Sequence, residues 1–348
     1  MNNIRIVKAI TLSGSPYDIG RSHGEQGKTE INISLETYEA LFYGYTGMSW
    51  NEVCEKALLH HDAIMAFRPE YIEEMQGVAD GAGVRFEDIL ALNARSEIAL
   101  TSTPDGCTSF ALNSGKRTWL GQNWDWKGSQ TGALLDVHIE QKDKPAIRMI
   151  TEGGIIGKIG INSAGVGVCL NALLTRTWQP KVPIHLGLRA VLDSHSFEEA
   201  TEIVEGKMAS PAHFLIASRD GRMAGMEVSP VRTATIGPKN GMVLHTNHIC
   251  DTQLQEAVCD FPILDSVPRL ERIRDLIGEL DDDPQQEDLF SVLSDHQGYP
   301  DSICRHVNVN DPEHTQMETV FSIVMNLTEG TFEYRLGHPC STNVNRLK

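Results

Sequence analysis

The amino-acid sequence predicts an α+β fold in which helices pack on antiparallel sheets. The first hundred residues carry apolar side chains at helical spacing, whereas short β-rich runs separated by turn residues dominate after Cys107. Further along, strands come in blocks and helices in pairs, which argues against strictly alternating βαβ units. At 348 residues the chain suits one large domain or two interlocking parts, and the pattern changes near residue 105.

The N-terminal helices are predicted from a cap and from apolar spacing. Ser15 before Pro16 has the pattern of an N-cap followed by proline at the first helical position. Within the predicted helix 52–67, His60, His61 and Asp62 are expected on a solvated face. The ranges with helix-spaced apolar residues are 31–43, 52–67, 70–77 and 86–100.

The rest of the chain alternates between blocks of strands and pairs of helices. Strands are predicted where β-branched and aromatic residues form short runs bounded by turn residues. The predicted strands are residues 108–112, 118–124, 134–140, 146–151, 157–162, 166–171, 213–218 and 223–228, with a last hairpin at 319–336. The predicted helices are residues 183–193, 196–208, 266–280 and 286–293.

Charge and composition limit the partners of this chain. The formal net charge of −17 repels phosphate backbones and anionic lipids, and Lys and Arg form no local cluster that would offset it. No apolar run approaches the length needed to span a bilayer. We therefore expect no nucleic acid and no membrane partner. Seven cysteines without a C-x-x-C pair fit reduced thiols better than a disulfide framework.

Two motifs partly resemble a metal-binding and a dinucleotide-binding pattern, but their spacing favours a structural role. His245-x-x-His248 with Cys250 matches no strong zinc signature and lacks a second ligand pair. Gly154-x-x-Gly157-x-x-Gly160 is not G-x-G-x-x-G and runs into a β-rich stretch, so we expect close packing or bulges there. The sequence thus predicts no bound metal and no bound cofactor.

Cys107 follows Gly106 at the start of a predicted strand, and this arrangement permits self-cleavage. The thiol attacks the Gly106 carbonyl, the acyl group shifts to sulfur, and water then releases it. The new α-amine of Cys107, with an unperturbed pKa of about 7.7–8.0, can act as general base for its own thiol. From these residues alone, the alternative is a buried structural thiol beside an ordinary turn.

A predicted hairpin brings a carboxylate near this cysteine. If Asn113 pairs with Arg117 across the turn, Cys107 lies opposite Asn123. Asp125 is then a diagonal neighbour on the same face, about 7 to 8 Å away at Cα. A carboxylate there would hold the new ammonium or orient the site. The register depends on the turn, since a slip of one residue exchanges the two faces.

Six segments in chain order carry a resemblance to a known enzyme family. They are residues 105–108 (DGCT), 121–125 (GQNWD), 150–158 (ITEGGIIGK), 162–166 (NSAGV), 245–248 (HTNH), and 299–300 (YP) with 302–305 (SICR). In these segments, and over nearly its whole length, the chain resembles the acyl-coenzyme A:6-aminopenicillanic acid acyltransferase family. Members of this isopenicillin N acyltransferase family are self-cleaving N-terminal-nucleophile enzymes.

The resemblance implies a four-layer αββα sandwich of the N-terminal-nucleophile hydrolase type with a helical N-terminal segment. It implies cleavage between Gly106 and Cys107. The helical fragment, residues 1–106, and the αββα catalytic fragment, residues 107–348, would stay associated as a heterodimer.

The same resemblance implies roles for four residues. Cys107 would be the nucleophile, Asp125 a site residue near its amine, and Asn247 an oxyanion donor. A fixed amide N–H aimed at the developing negative charge contributes a few kcal/mol to acyl transfer. Arg305 would be a substrate-site or structural cation, which clamps a carboxylate or neutralises Asp125. Without the resemblance, Asn247 reads as a turn residue and Arg305 as a surface charge.

The expected function is transfer of an acyl group to an amine acceptor through a Cys107 acyl-enzyme. The donor is a thioester, with acyl-coenzyme A as a co-substrate, or an amide; both partners are small molecules. An amidase that passes the acyl group to water is the close alternative. A silent scaffold is disfavoured because Cys107 and Asp125 are both present. The chain ends Arg346-Leu347-Lys348, unlike a peroxisomal tripeptide, and its start lacks a secretory signal, so we expect the cytoplasm.

Overall fold

The computed structural model describes residues 7–99, 106–258, 261 and 263–341, to which all structural statements refer. Two sheets stacked face to face lie between two layers of helices. The predicted α+β class and the αββα layer order are therefore confirmed. Three sequence features lie outside the described residues: Asp105, the last residue of the predicted helix 86–100, and the C-terminal tripeptide.

The larger sheet has eight strands in the order β1-β4-β5-β6-β7-β8-β9-β10. The pair β1 and β4 is parallel, and the other neighbouring pairs are antiparallel. The strands are β1 (Lys8–Gly14), β4 (Leu134–Gln141), β5 (Ile147–Glu152), β6 (Ile159–Asn162), β7 (Val166–Ala172), β8 (Ala212–Ser218), β9 (Met223–Val228) and β10 (Ala234–Ile236).

Strand β1 was not predicted from the sequence. Its seven residues bury Ile10 and Leu12 and leave the others exposed, so the local apolar signal is only two side chains long. It pairs with β4 from Lys8, opposite Leu135, to Gly14, opposite Gln141. The N-terminal segment is thus helical apart from one edge strand of the larger sheet.

The smaller sheet has five antiparallel strands in the order β11-β2-β3-β12-β13. One face packs on the larger sheet, where the Ser109 hydroxyl donates to Asn171 Oδ1 at 2.6 Å. The strands are β2 (Gly106–Asn113), β3 (Thr118–Trp126), β11 (Met242–His245), β12 (Glu318–Asn326) and β13 (Thr331–Leu336).

The other face of the smaller sheet packs on α11 (Ser266–Gly278) and α12 (Gln286–Leu293). Phe110 and Trp119 of the sheet share one apolar cluster with Ile273 and Phe290 of these helices. Both helices were predicted, and their apolar stripes face the sheet as an amphipathic helix requires.

Seven helices form the N-terminal segment, two more lie between β7 and β8 in the chain, and another follows β11. The first seven are α1 (Pro16–Gln26), α2 (Lys28–Thr46), α3 (Trp50–Leu58), α4 (His61–Phe67), α5 (Pro69–Ala82), α6 (Phe86–Asn93) and α7 (Arg95–Ala99). The later three are α8 (Ile184–Leu192), α9 (Phe197–Glu202) and α10 (Thr252–Val258), of which α10 was not predicted. Within the described ranges, no helix combines the length and apolar character that crossing a bilayer requires.

The sequence correctly predicted the cap of α1, but the predicted helix 52–67 differs from the structure. Ser15 caps α1 as predicted, since its hydroxyl accepts the Asp18 N–H at 3.2 Å. The predicted helix 52–67 is instead two helices, α3 and α4, with a break before His61. His60 at this break is buried, 2.7 Å from the Lys181 carbonyl through Nδ1, so its predicted exposure is wrong. Asp62 is exposed as expected.

Candidate active site

The register of the β2-β3 hairpin decides which side chains share a face with Cys107. The predicted pairing of Asn113 with Arg117 is wrong by one residue, because Asn113 pairs with Thr118. The turn spans residues 114–117, and its ends are joined by the Ser114 N–H, which donates to the Arg117 carbonyl at 3.0 Å.

This register places Cys107 opposite Trp124 and Gly106 opposite Asp125. Side chains directly opposite each other in a sheet point to the same face, and successive side chains alternate. Cys107 therefore projects toward the larger sheet, where it joins the main core with Trp124. Asp125 projects from the opposite face, so the predicted shared face of Cys107 and Asp125 is wrong.

The backbone of Cys107 is held on both sides of its α-carbon. Its N–H donates to Asn247 Oδ1 at 2.7 Å, and its carbonyl accepts from Arg269 Nη1 at 2.8 Å. The residue is only 1% exposed. The nitrogen that would become the new α-amine thus already has a fixed hydrogen-bond partner.

Asn247 lies just after β11 and is fixed by every polar group of its side chain. Oδ1 accepts from both Cys107 and Arg269 Nη2, the latter at 3.0 Å. Nδ2 donates to the Ala172 carbonyl at 3.1 Å. These contacts set the amide orientation, because two donors meet the oxygen and an acceptor meets the nitrogen. An amide nitrogen carries two hydrogens, so one beyond the Ala172 bond remains for another acceptor.

Arg305 lies directly against Gly106. A Cβ added to Gly106 would come within 2.7 Å of Arg305 Nε, so the close approach of the guanidinium requires glycine at this position. Arg305 is 4% exposed and pairs with Asp265, Asp301 and, at 3.4 Å from Nε, Asp125. Burial lowers the pKa of Arg305, but the three carboxylates outweigh it and raise the pKa above its ordinary value.

Asp125 is linked to the start of β2 by Arg305. This link lies on the face of the smaller sheet that packs on α11 and α12. Its Oδ1 accepts from the Thr319 hydroxyl at 2.7 Å, and Thr319 in turn accepts the Arg305 N–H at 3.0 Å. The carboxylate is fully buried. Its position directly across from Gly106 places it beside the Gly106-Cys107 bond, not beside the thiol.

Arg269 and Asp265 belong to this site and were missed by sequence reasoning. Arg269, at 2% exposure, donates to Asn247, to the Cys107 carbonyl and to the Thr108 hydroxyl at 3.0 Å. Its Nε donates to Asp265 at 2.6 Å. One signal was available: Arg269 lies four residues before the buried Ile273, on the apolar face of a predicted helix.

The shared carboxylate Asp265 links the two arginines. Burial raises the pKa of Asp265, but Arg269 and Arg305 outweigh it and hold the pKa below its ordinary value. Both arginines therefore face an ionised carboxylate at neutral pH. The resulting Arg269-Asp265-Arg305 chain runs beside the backbone from Gly106 to Thr108.

Comparison with known proteins identifies the family. A sequence profile of acyl-coenzyme A:6-aminopenicillanic acid acyl-transferases matches residues 112–340. The chain is also 35% identical over 337 residues to the 40 kDa form of acyl-coenzyme A:6-aminopenicillanic-acid-acyltransferase from Emericella nidulans. This alignment covers 95% of the chain and 92% of the relative. The chain belongs to the acyl-coenzyme A:6-aminopenicillanic acid acyltransferase family.

Two further proteins are similar to this chain, one over a shorter stretch and the other at lower sequence identity. Protein dcd1A from Dictyostelium discoideum is 30% identical over 134 residues, which is 32% of this chain and 30% of that protein. A crystal structure of a mutant conjugated bile acid hydrolase from Clostridium perfringens superposes with a TM-score of 0.50 at 14% identity. It covers 70% of this chain and 96% of the hydrolase, and this likeness supports the N-terminal-nucleophile hydrolase fold.

In this member of the acyltransferase family, the ITEGGIIGK segment packs against β3, the neighbour of the strand that carries Cys107. Lys158 pairs with Glu152, and its ammonium lies 3.3 Å from the centroid of the Trp124 ring. Burial raises the pKa of Glu152, but Arg95 and Lys158 outweigh it and lower the pKa to about 2. Gly157 allows close packing as predicted, since a Cβ there would meet the His185 carbonyl at 2.3 Å.

The HTNH segment of the family combines one site residue with a buried ion pair. His245 Nε2 lies 2.8 Å from Glu227 Oε1, and its ring stacks on His213 with centroids 3.5 Å apart. Burial lowers the pKa of His245, but hydrogen bonds to Cys250 and Glu227 outweigh it and raise the pKa to about 10. Glu227 also accepts the Cys250 N–H at 2.6 Å. Hydrogen bonding therefore accounts for the convergence of Glu227, His245 and Cys250, whose side chains could otherwise suggest a metal site.

Proposed function

We propose that this chain is an acyltransferase that cleaves itself between Gly106 and Cys107 and then uses Cys107 as an N-terminal nucleophile. Membership of the acyltransferase family supports the reaction class. The hydrogen bond from the Cys107 nitrogen to Asn247 Oδ1 carries the assignment of Cys107, because it fixes the atom that would become the α-amine.

The cleavage step needs only groups of the chain and one water. The Cys107 thiol adds to the Gly106 carbonyl carbon, the C–N bond breaks, and the nitrogen of Cys107 takes the proton to become an amine. The resulting thioester is then hydrolysed, which leaves a Gly106 carboxylate and a free thiol. Glycine before the cysteine leaves the scissile carbonyl uncrowded.

After cleavage, the new amine and Asn247 would have different roles in acyl transfer, the first as general base and the second as oxyanion donor. The amine, with an unperturbed pKa of about 7.7–8.0, takes the thiol proton while Asn247 Oδ1 orients it. The Asn247 Nδ2 hydrogen that does not donate to Ala172 would stabilise the oxyanion of the tetrahedral intermediate. Arg305 and Asp125 would position the amine from the opposite side of the strand.

The acyl donor and acceptor are proposed from the family. The sulfur of Cys107 attacks the donor carbonyl, a thiol such as coenzyme A leaves, and an acceptor amine then attacks the new thioester. Acyl-coenzyme A and 6-aminopenicillanic acid, named for the Emericella nidulans relative, are the first donor and acceptor to assay. If water replaces the amine, the same acyl-enzyme gives an amidase or thioesterase.

Intact mass under denaturing conditions, with sequencing of any new N-terminus, tests the cleavage. We expect two fragments, residues 1–106 and residues 107–348, with the second beginning at Cys107. The Cys107→Ala variant should stay whole and inactive. Cys250→Ser is the matched control, because it removes an exposed thiol outside the site and should be cleaved normally.

The acyl-enzyme is tested by the same mass measurement after incubation with acyl-coenzyme A. A mass increase confined to the fragment that begins at Cys107, and its loss when an amine is added, would support acyl transfer. A whole wild-type chain, or cleavage and acylation that persist in Cys107→Ala, would overturn the proposal. The ratio of amide product to free acid separates transferase from hydrolase.

A further inference from the structure

Four side chains with metal-ligating atoms converge around the segment that carries Arg305. His296, Cys304 and His306 lie between α12 and β12, and Cys340 follows β13. Their imidazole nitrogens and thiol sulfurs all lie within 4.8 Å of one another. Nothing in the proposed acyl transfer uses these groups, and the sequence analysis predicted no metal.

The separations around His306 are those of a tetrahedral site. Its Nε2 lies 3.1 Å from His296 Nε2 and 3.6 Å from both Cys304 Sγ and Cys340 Sγ. A tetrahedral Zn²⁺ with ordinary bond lengths separates a nitrogen from a sulfur ligand by about 3.6 Å and two nitrogens by about 3.3 Å. Three independent separations therefore agree with one geometry to within a few tenths of an ångström.

Hydrogen bonding alone does not account for this convergence. An imidazole nitrogen carries either one proton or one lone pair, so His306 Nε2 can make one ordinary hydrogen bond. Here that single atom faces another imidazole nitrogen and two sulfurs at once. A cation bound by all four atoms satisfies each of them together.

We propose that His296, Cys304, His306 and Cys340 bind one Zn²⁺ in a closed, structural site. Two sulfur and two nitrogen ligands in tetrahedral arrangement select zinc over the hard cations, which prefer oxygen. Four protein ligands leave no open position, as in structural and not catalytic zinc sites. The two thiolates neutralise the charge of the ion.

Two contacts behind the cluster hold His306 in place. Its ring stacks on His338 with centroids 4.0 Å apart, and His338 Nε2 lies 3.1 Å from Glu318 Oε2. Groups that orient a metal-bound histidine matter to affinity nearly as much as the ligands themselves. Glu318 begins β12, so the cluster is anchored to the smaller sheet.

The position of the site connects it to the acyl-transfer centre. Arg305 lies between the ligands Cys304 and His306 in the chain, and its guanidinium contacts Gly106 and pairs with Asp125. A metal that also binds Cys340 would tie this loop to the segment after β13. Loss of the ion should therefore loosen Arg305 and lower cleavage or turnover as a secondary effect.

Zinc content of the full-length, tag-free protein tests the proposal directly. After metal-replete expression and exhaustive dialysis, we expect about one zinc ion per chain by elemental analysis. Replacement of zinc by Co²⁺ should give thiolate-to-cobalt charge-transfer bands and the intense visible bands of a tetrahedral site. The Cys107→Ala precursor should hold the same amount of zinc, so this result does not depend on the proposed catalytic role of Cys107.

Two ligand variants and one matched control complete the test. Cys340→Ser and His296→Asn change side chains that are partly or fully exposed, so the fold should survive, and both should lose stoichiometric zinc and the cobalt spectrum. Cys250→Ser removes the exposed cysteine of the Glu227-His245-Cys250 group and should keep both.

Three outcomes would overturn the site. The first is metal-free protein that fails to take up Zn²⁺ or Co²⁺ on titration with the metal alone. The second is full zinc retention in both Cys340→Ser and His296→Asn. The third is a Cys304-Cys340 disulfide in protein purified without reductant, seen as the loss of two hydrogens in the intact mass, which would make the pair a redox feature.

Discussion

At the scale of single residues, Arg269 joins several groups of the candidate site although the sequence did not predict it. It holds the Cys107 carbonyl, the Thr108 hydroxyl and the Asn247 amide oxygen, and it shares Asp265 with Arg305. Because Asn247 in turn holds the Cys107 nitrogen, we infer that Arg269 is a positioning residue for the proposed nucleophile, Cys107.

Replacing Arg269 by lysine should slow self-cleavage and turnover by about 10- to 100-fold. Lysine keeps the charge but loses the planar fork that donates to four groups, and one hydrogen bond to a charged group contributes about 1.5–3 kcal/mol. The loss should fall on kcat more than on KM, since Arg269 acts through Asn247 and the Cys107 backbone.

Arg274→Lys, on the exposed side of the same helix, is the matched control and should behave as wild type. Rates of cleavage from time-resolved intact mass, and steady-state kinetics of the cleaved protein, make the comparison. Equal rates for Arg269→Lys and wild type would contradict the positioning role.

At the scale of elements, a buried carboxyl joins α7 to the start of α8. Glu97 Oε1 accepts the Ile184 N–H at 2.8 Å and the Ser210 hydroxyl at 3.0 Å. The N-cap residue of α8, Pro183, makes no side-chain cap, so Glu97 satisfies one of the free N–H groups at the helix start. Burial raises the pKa of Glu97 from 4.5 to about 7.

This raised pKa predicts that stability falls as pH rises from about 4.5 to about 7. In that window the unfolded chain loses the Glu97 proton while the folded chain keeps it, so ionisation favours unfolding. The full effect is on the order of 3 kcal/mol above the window. Glu97→Gln keeps the acceptor oxygen and cannot ionise, so it should remove this part of the pH dependence.

Denaturant unfolding of the Cys107→Ala precursor between pH 4 and 8 makes the measurement, because an uncleaved chain unfolds as one molecule. Glu202→Gln, at an exposed position on α9, should keep the wild-type dependence. A Glu97→Gln curve parallel to that of the control would show that Glu97 titrates normally in the folded protein.

At the scale of the whole molecule, the N-terminal segment is built into the same core as the strands. Strand β1 hydrogen-bonds to β4 along its length, and Tyr38 of α2 donates to the buried Glu152 of β5. Apolar residues of α2 and α6, such as Phe42 and Ile89, share one cluster with those of the larger sheet. A cut at Gly106 would leave all these contacts in place.

We therefore expect the two proposed fragments to stay together after cleavage. Native size-exclusion chromatography should give one peak that contains both, and denaturing mass spectrometry of this peak should separate them. Removing the N-terminal fragment requires exposing its apolar helical faces, which costs about 25 cal/mol per Å² of apolar surface. Separate native elution of the fragments would contradict this expectation.

The sequence by itself determined features that depend on residues close together in the chain. The Ser15 cap, the paired helices α11 and α12 and most strands of both sheets were all predicted from local patterns. Family membership also followed from six ordered segments, because a mosaic of motifs is far more specific than any one. These inferences succeed because caps, periodicity and turn residues act over a few positions.

Local patterns gave wrong or missing predictions for the register of the β2-β3 hairpin and for the short strand β1. The hairpin register slipped because a turn of residues 114–117 replaced the shorter one predicted, and a shift of one residue reversed the face of Asp125. Strand β1 went unseen because only Ile10 and Leu12 mark it, and its partner β4 lies more than a hundred residues away.

Only the tertiary structure decided how the site is assembled. Cys107 meets Asn247 across 140 positions of sequence and Arg269 across 162, and no spacing rule reaches that far. The same holds for the proposed zinc site, where Cys340 joins His306 from beyond β13. The sequence determines which chemical groups exist, whereas the packing of the two sheets and their helices determines which of them meet, because such contacts depend on distance in space and not along the chain.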